Sequence, residues 1–260
     1  MKENVVKYTE QEFESAKEFL RERLRNERSM SADVLRLLEV YAAYLLTSLF
    51  NGATDDDIEL LIAALIDELL ADCQTLAVDE HDNGDAVVLW LLGERFGDTL
   101  RGRVEKRVRT FYDEVAAVYV AGRLLGRGYD ELLGGIVANL KTPWQHDALV
   151  EAREKIRLGE LSAVRSFDEP HFGMGNPTSS LVALDRLLVY AVADAWMFWQ
   201  YEDAKMRGAK GYFVVRGSSY PCEECDSHTG VFFPIGDDEN RPQYHAHCCC
   251  VVVYSYVEHI

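Results

Sequence analysis

Long apolar runs are missing from this 260-residue sequence: the nearest approach, Val189 to Trp199, is short and is broken by Asp194. A membrane-spanning helix needs about 18 or more apolar residues, so no membrane segment is expected. Proline and glycine are too scarce, at 6 and 18 residues, for a disordered or fibrous chain. Basic residues are outnumbered 27 to 44, giving a net charge of −17, and from residue 31 to 94 Arg36 is the lone base. That balance argues against a general phosphate-binding protein, which is built from Lys and Arg. The start, MKENVVKYTEQEFESAKEF, carries acids from its third residue and does not read as a secretory signal, so a reducing cytosol is the expected compartment at synthesis. Cysteine is missing almost everywhere: Cys73 stands alone, and the other five fall between Cys222 and Cys250.

What is present is enough to build a core, since 48% of the residues are hydrophobic, and the length suits one large domain or two modest ones. The charge is the sum of unlike parts. Residues 1–30 balance, residues 31–94 carry −13, residues 95–127 swing to +4, and the tail from residue 222 carries −6. The acidic block reads as solvated helix faces or as a surface for a basic partner.

Helical punctuation runs through the first two hundred residues. Thr9 to Glu12 has the form of a capping box, in which the Thr hydroxyl takes a free backbone N–H and the Glu reaches back. Phe13, Ala16, Leu20 and Leu24 follow on one stripe. Ser31 is expected to open a second helix ending at Asn51-Gly52, and Thr54 a third with Asp55, Asp56 and Asp57 at the positive end of its dipole. His81 to Asp85 reads as a loop, Ala86 to Phe96 as a short helix, and the chain from Asp98 as a longer one. That longer helix repeats Leu100, Val104, Val108, Phe111, Val115 and Val118 at steps of three and four. Arg101, Arg103, Lys106 and Arg107 lie mostly off its stripe and are candidates for a nucleic-acid or partner surface. Asp130 is expected to cap a helix that Pro143 ends, and Trp144 to Leu158 to form another. The HFGMGNPTSS segment, with Gly173 and Gly175, reads as a loop and cap rather than a phosphate cradle, because no strand precedes it and no Lys follows. A last long helix is expected from about Ser180 to Arg207.

After Gly208 the period changes to short β-type runs, Tyr212 to Val215, Val231 to Phe233 and Val251 to Tyr254, with the cysteines between them. The expected fold is mainly α with a small C-terminal β-rich, zinc-clipped module (α+β). Three segments are expected: an acidic N-terminal helical region (1–94), a helical body (95–207) and a Cys/His β module (208–260).

Cys222 and Cys225 have the CxxC spacing with which two thiolates bite one metal from a turn, and His245-Ala246-His247-Cys248-Cys249-Cys250 offers the second half about twenty residues on. The expected structural zinc takes Cys222, Cys225 and His245 with either Cys248 or Cys250. In an extended run these last two point to one face and Cys249 to the other. Three rival readings stand beside it. A redox CxxC would come within a βαβ pattern, which is missing. A disulfide formed after release from the cell is the second, and free thiols with no bond or metal are the third. His228 and His259 read as surface residues, and Cys73 as a small buried hydrophobe.

CEEC, then Gly230, then HAHCCC leading into an apolar strand resembles the C-terminal signature of the phage Mu protein F-like minor head proteins, also called head morphogenesis proteins, in which CxxC, Gly and HxxCxC close the domain. Upstream, Gly128-Tyr129-Asp130 through Pro143 resembles the family's Gly-led short helix. Two positions depart from the pattern: Leu187-Leu188 follow Arg186 where the family carries Arg-Thr-Glu, and Cys249 stands where it has Arg. The resemblance spans about residues 95–257 and is sharpest in the last forty. It implies a virion component with no catalytic residues, acting in head morphogenesis and DNA delivery. Its expected place is the virion, and the host cytoplasm during assembly. Its expected partners are the portal protein, capsid subunits and packaged DNA, with no membrane. Two alternatives from other classes are a zinc-finger-type nucleic-acid-binding protein, opposed by 7 acids against the single base Arg241 from residue 222 onward, and a metal-dependent nuclease or toxin, for which His245 and His247 lack a recognisable partner set.

Overall fold

The computed structural model describes residues 8–78, 84–162, 178–237, 239–245 and 247–257. The chain is mainly helical with a small β module near its C-terminal end. Helix α1 runs unbroken over Glu10–Phe50, followed by α2 (Asp55–Val78) and α3 (Gly84–Leu92). Two short strands, β1 (Glu94–Arg95) and β2 (Asp98–Thr99), pair around Phe96-Gly97, both at positive φ, as a two-residue hairpin turn requires. Then come α4 (Leu100–Leu125), α5 (Tyr129–Ala138), a single 3₁₀ turn at Pro143–Gln145, α6 (Asp147–Arg157) and α7 (Ser180–Met206). The last part holds β3 (Gly211–Arg216), α8 (Glu223–His228), β4 (Phe232–Pro234) and β5 (Cys250–Ser255). Among the described residues no helix is long and apolar enough to cross a membrane.

The expected caps form. Thr9 Oγ1 accepts from the Glu12 N–H at 3.2 Å while Glu12 returns a carboxylate to the Thr9 N–H, and Thr54 and Asp57 repeat the arrangement at the start of α2. Ser31 is a correction: it opens no helix but lies inside α1, where its hydroxyl donates sideways to the Asp185 carboxylate instead of to its own backbone. Helix α3 stops at Leu92 rather than Phe96, because the hairpin takes over. Asp130 is likewise no cap: Gly128 holds that position, Asp130 sits in the first turn of α5, and the helix ends at Ala138, ahead of Pro143. His146 caps α6 instead, with Nδ1 accepting from the Ala148 N–H at 3.1 Å. Residues 81–83, Gly173 and Gly175 lie outside the described residues.

Two compact units cut across the three segments expected from charge and element type. One comprises Ser31–Asp72 and Glu94–Asp185, the other Met1–Met30, Cys73–Gly93 and Arg186–Ile260. The acidic region of residues 1–94 is thus shared between both. In the first unit the α4 stripe is fully interior: Leu100, Val104, Val108, Phe111, Val115 and Val118 are all buried. Gly122 on α4 lets α5 approach so closely that a Cβ there would meet the Leu132 side chain at 2.4 Å.

Glu114, on α4, is a buried carboxylate in this unit. It accepts from the Ser180 backbone N–H at 2.9 Å and from the Ser180 hydroxyl, and so caps the start of α7 from another helix. Burial pushes its carboxyl up to about 7 from 4.5. Between those two values the unfolded chain has lost a proton that the folded protein retains, so this group makes stability fall as pH rises through the window. At about 1.4 kcal/mol per unit the effect amounts to about 3 kcal/mol. Glu114→Gln keeps an acceptor for the Ser180 N–H and is expected to flatten the denaturation midpoint between pH 4.5 and 7; a midpoint as pH-dependent as in the wild type contradicts the assignment.

In the second unit β3 is the central strand of an antiparallel sheet ordered β4-β3-β5. Alternation gives the sheet two faces. Val215, Val251 and Val253 meet Ala16 and Leu20 of α1 on one; Tyr212, Val214, Cys250 and Val252 meet Met197 and Tyr201 of α7 on the other, together with Cys225 and Cys248. The cysteine-rich segment therefore forms part of the core of this unit.

Candidate metal centre

Cys222 is the residue before α8, in extended backbone, and Cys225 lies one turn inside it, with the Asp226 N–H donating to the Cys222 carbonyl at 2.9 Å. This winding brings both thiols of CxxC to one side. Gly230, at φ 74, turns the chain back so that its N–H donates to Val214 of β3 at 2.8 Å, which ties the CxxC turn to the sheet. The second half arrives at the start of β5. His247 adopts φ 60, closing a turn in which the Cys248 N–H donates to the His245 carbonyl at 3.2 Å, and Cys250 then opens β5 opposite Arg216. Gln243, itself buried, donates to the His245 carbonyl at 3.0 Å and fixes the loop that carries the imidazole. Upstream, Arg241 lies over the rings of Trp90 (5.0 Å) and Tyr201 (5.9 Å) and 3.5 Å from Asp194, a buried cation held by aromatic faces and one carboxylate.

The outcome is a cluster of five donors. His245 Nε2 lies 3.3 Å from Cys222 Sγ and 3.2 Å from Cys225 Sγ, and Cys225 Sγ lies 3.7 Å from Cys248 Sγ. Cys222, Cys225 and His245 form one close group and Cys225, Cys248 and Cys250 another, with Cys225 common to both. For metal bonds of about 2.3 Å to sulfur and about 2.0–2.1 Å to nitrogen, a tetrahedron has S···S edges of about 3.8 Å and S···N edges of about 3.6 Å. The one S···S separation matches the sulfur edge and the two S···N separations fall a few tenths short, so each group of three is close enough to share an ion. Cys225, Cys248 and Cys250 are buried, and Cys222 and His245 half-buried. Closed in this way, the site suits a structural ion rather than a catalytic one. All six cysteines are free thiols in the structure.

Electrostatics within the cluster is uneven. The Cys250 thiol donates to Cys248, which pulls Cys248 down to about 5; the same bond, with burial, pushes Cys250 upward. Burial raises Cys225 to about 12, whereas the Cys225 backbone N–H lowers Cys222. A metal would displace protons from the thiols on binding.

Cys249 faces away from the cluster, half-buried, with its thiol turned to the His247 carbonyl at 3.6 Å. His247 is exposed and outside the donor groups. His228 is half-buried and stacks on Tyr244 at 4.3 Å; His259 lies outside the described residues. Cys73 is fully buried against Met30.

The basic segment belongs to the other unit, and much of its charge is met locally. Arg101 pairs with Asp67 at 2.5 Å, Lys106 with Asp98 at 2.7 Å, and Arg109 with Glu59 at 2.7 Å and Glu105 at 2.9 Å. Arg103 lies 5.6 Å over the Phe96 ring, while Arg107 is exposed. Asp67 and Glu59 belong to α2, so part of the acidic block is spent on these bases. The pairs are exposed and individually weak.

Two residues that sequence reasoning missed complete the site. Arg23 of α1 is fully buried, its Nε 3.2 Å from Glu27, and its two Nη atoms donate to the carbonyls of Cys248 and of Cys250, the latter at 3.2 Å. The signal was available: in a charge-balanced segment, Arg23 and Glu27 fall on the face of α1 that Ala16, Leu20 and Met30 also share.

Fold and site together define a mainly helical protein with a small sheet clipped by a Cys/His cluster able to hold a metal ion. No protein-family model matches the chain, and no curated protein or solved structure is significantly similar to it.

Proposed function

We propose that this protein is a minor head protein of a phage or prophage, of the Mu F-like kind, acting in head morphogenesis and associated with the portal or the capsid interior, with zinc as the ion of its C-terminal cluster. The observation that carries the reading is that the residues of the CxxC and HxxCxC halves, Cys222, Cys225, His245, Cys248 and Cys250, fall into two close groups that share Cys225. Zinc is favoured over other metals by a donor set of thiolates with one imidazole in a largely buried setting. The ion is structural in this reading: it holds together a three-stranded sheet too small to be stable by its own burial. The helices would then present the docking surfaces, and the protein catalyses no reaction. Direct contact with packaged DNA is the weaker part, because Arg101, Lys106 and Arg109 already face carboxylates.

The test is made on particles. Heads purified from the producing host are expected to contain the protein at a few copies each, and deletion of its gene is expected to leave portal-containing heads that fail in assembly or DNA delivery. Particles that lack the protein and a deletion that leaves infectivity intact would remove the reading. The genomic neighbourhood gives a cheap parallel check: a reading frame next to a portal gene is expected.

A further inference from the structure

Strand β5 is an edge strand, since the sheet order is β4-β3-β5. At its start the backbone alternates. The Cys249 carbonyl accepts from the Gly217 N–H at 3.0 Å, on the β3 side. The carbonyls of Cys248 and Cys250 therefore point the other way, where a further strand would lie. Among the described residues no strand lies there: the partner is the Arg23 guanidinium, one Nη on each carbonyl, with the side chain entirely buried. A buried edge carbonyl without a donor is costly, and the planar two-pronged donor satisfies both carbonyls from one side. Extension from residue 248 to 250 is what puts the two thiols on one face of the strand. Glu27, 3.2 Å from Arg23 Nε, balances the buried charge and holds the fork.

We infer that Arg23 is a positioning residue for the metal centre: by clamping the Cys248 and Cys250 carbonyls it presets the ligand strand, so that metal affinity depends on α1 and metal loading in turn tightens the hold on residues 8–30. The inference rests on the reading that the five-donor cluster binds a metal. The coupling is reciprocal, because a contact that raises affinity for the ion must itself be strengthened when the ion binds. Outer residues that orient ligands typically change metal affinity by about 10–100-fold, and that is the range expected here.

The full-length protein serves for the test, with wild type, Arg23→Lys and the double variant Arg23→Met/Glu27→Gln. Arg23→Lys keeps the buried positive charge beside Glu27 and loses only the fork; the double variant removes both charges at similar volume. Zinc affinity is measured by chelator competition and the ligand set by the absorption spectrum of the cobalt(II) form, with far-ultraviolet circular dichroism reporting the helices. The expected result is a 10–100-fold loss of zinc affinity, a weakened thiolate-to-cobalt band, and faster proteolysis within residues 8–30 in zinc-free than in zinc-loaded wild type. A merely structural role for Arg23 would not alter the cobalt spectrum. Variants that bind zinc within about twofold of wild type, with an unchanged cobalt spectrum, overturn the inference while leaving the metal reading intact. A wild type that takes up neither zinc nor cobalt overturns the metal reading itself. Should the double variant unfold, Arg23→Lys decides by the same spectrum.

Discussion

Replacing Cys225 by serine is expected to abolish metal binding and to leave the segment from Gly211 to Ser255 without a stable fold. Cys225 is the one donor common to both close groups of the cluster, and it is 2% exposed. Structural zinc sites in small modules contribute about 10–16 kcal/mol of apparent binding free energy, which exceeds what three short strands can supply. A hydroxyl in place of a buried thiolate offers zinc a poor ligand, and affinity is expected to fall by at least about a thousandfold, equivalent to roughly 4 kcal/mol. The measurement is metal content after dialysis, together with proteolysis of the 211–255 segment. Cys249→Ser is the matched control, since its side chain faces away from the donors. If Cys225→Ser retained a full complement of metal, the cluster would not be the binding site.

The second large effect is expected at Tyr212. Its ring is fully buried in the central strand, 5.6 Å from Phe233, 6.1 Å from Tyr201 and 6.2 Å from Tyr254, and its hydroxyl donates to the Asp237 carbonyl at 2.7 Å. Truncation to alanine removes a large ring from a packed interior, at a cost of about 3–5 kcal/mol. With metal bound, the clipped strands are expected to stay paired at a lowered melting temperature. Tyr212→Phe, which loses only the hydrogen bond, should cost about 1 kcal/mol in the same state. A metal-bound Tyr212→Ala protein that melts with the wild type would mean that this ring does not support the module.

Most elements were legible because their signals are local. The Thr9-Glu12 box, the helix start at Thr54, the α4 stripe from Leu100 to Val118 and the three β-type runs all follow from neighbouring residues, and each forms in the structure. The misreadings share a cause. Ser31 has the residue type of a cap, but its hydroxyl is used by Asp185, 154 residues away in sequence, so the helix continues through it. Asp130 and Pro143 look like a start and a stop, yet the N-terminal boundary is set by Gly128, whose backbone is already extended. The charge segments were real as sums, but α2 acids and α4 bases are partners rather than separate surfaces, and only tertiary contacts reveal that Glu59 meets Arg109.

At the candidate centre the residue types and spacing pointed to Cys222, Cys225, His245, Cys248 and Cys250, because a metal needs these donors wherever the chain brings them together. The support around them was hidden. Arg23 and Glu27 lie more than two hundred residues upstream of Cys248 and Cys250 and read as ordinary helix charges until the structure shows them buried behind the ligand strand. Arg241 was the lone base of an acidic tail; its place between Trp90 and Tyr201 explains why it is there without any phosphate to bind.

The central claim is that the two Cys/His halves form one closed metal site. Elemental analysis of the full-length protein, purified under reducing conditions without added chelator, tests it most directly. The expected result is close to one zinc per chain, lost together with the tertiary signal of the C-terminal module on treatment with a strong chelator. Protein that contains no metal, stays folded, and forms a disulfide between Cys222 or Cys225 and Cys248 or Cys250 on exposure to air would contradict it.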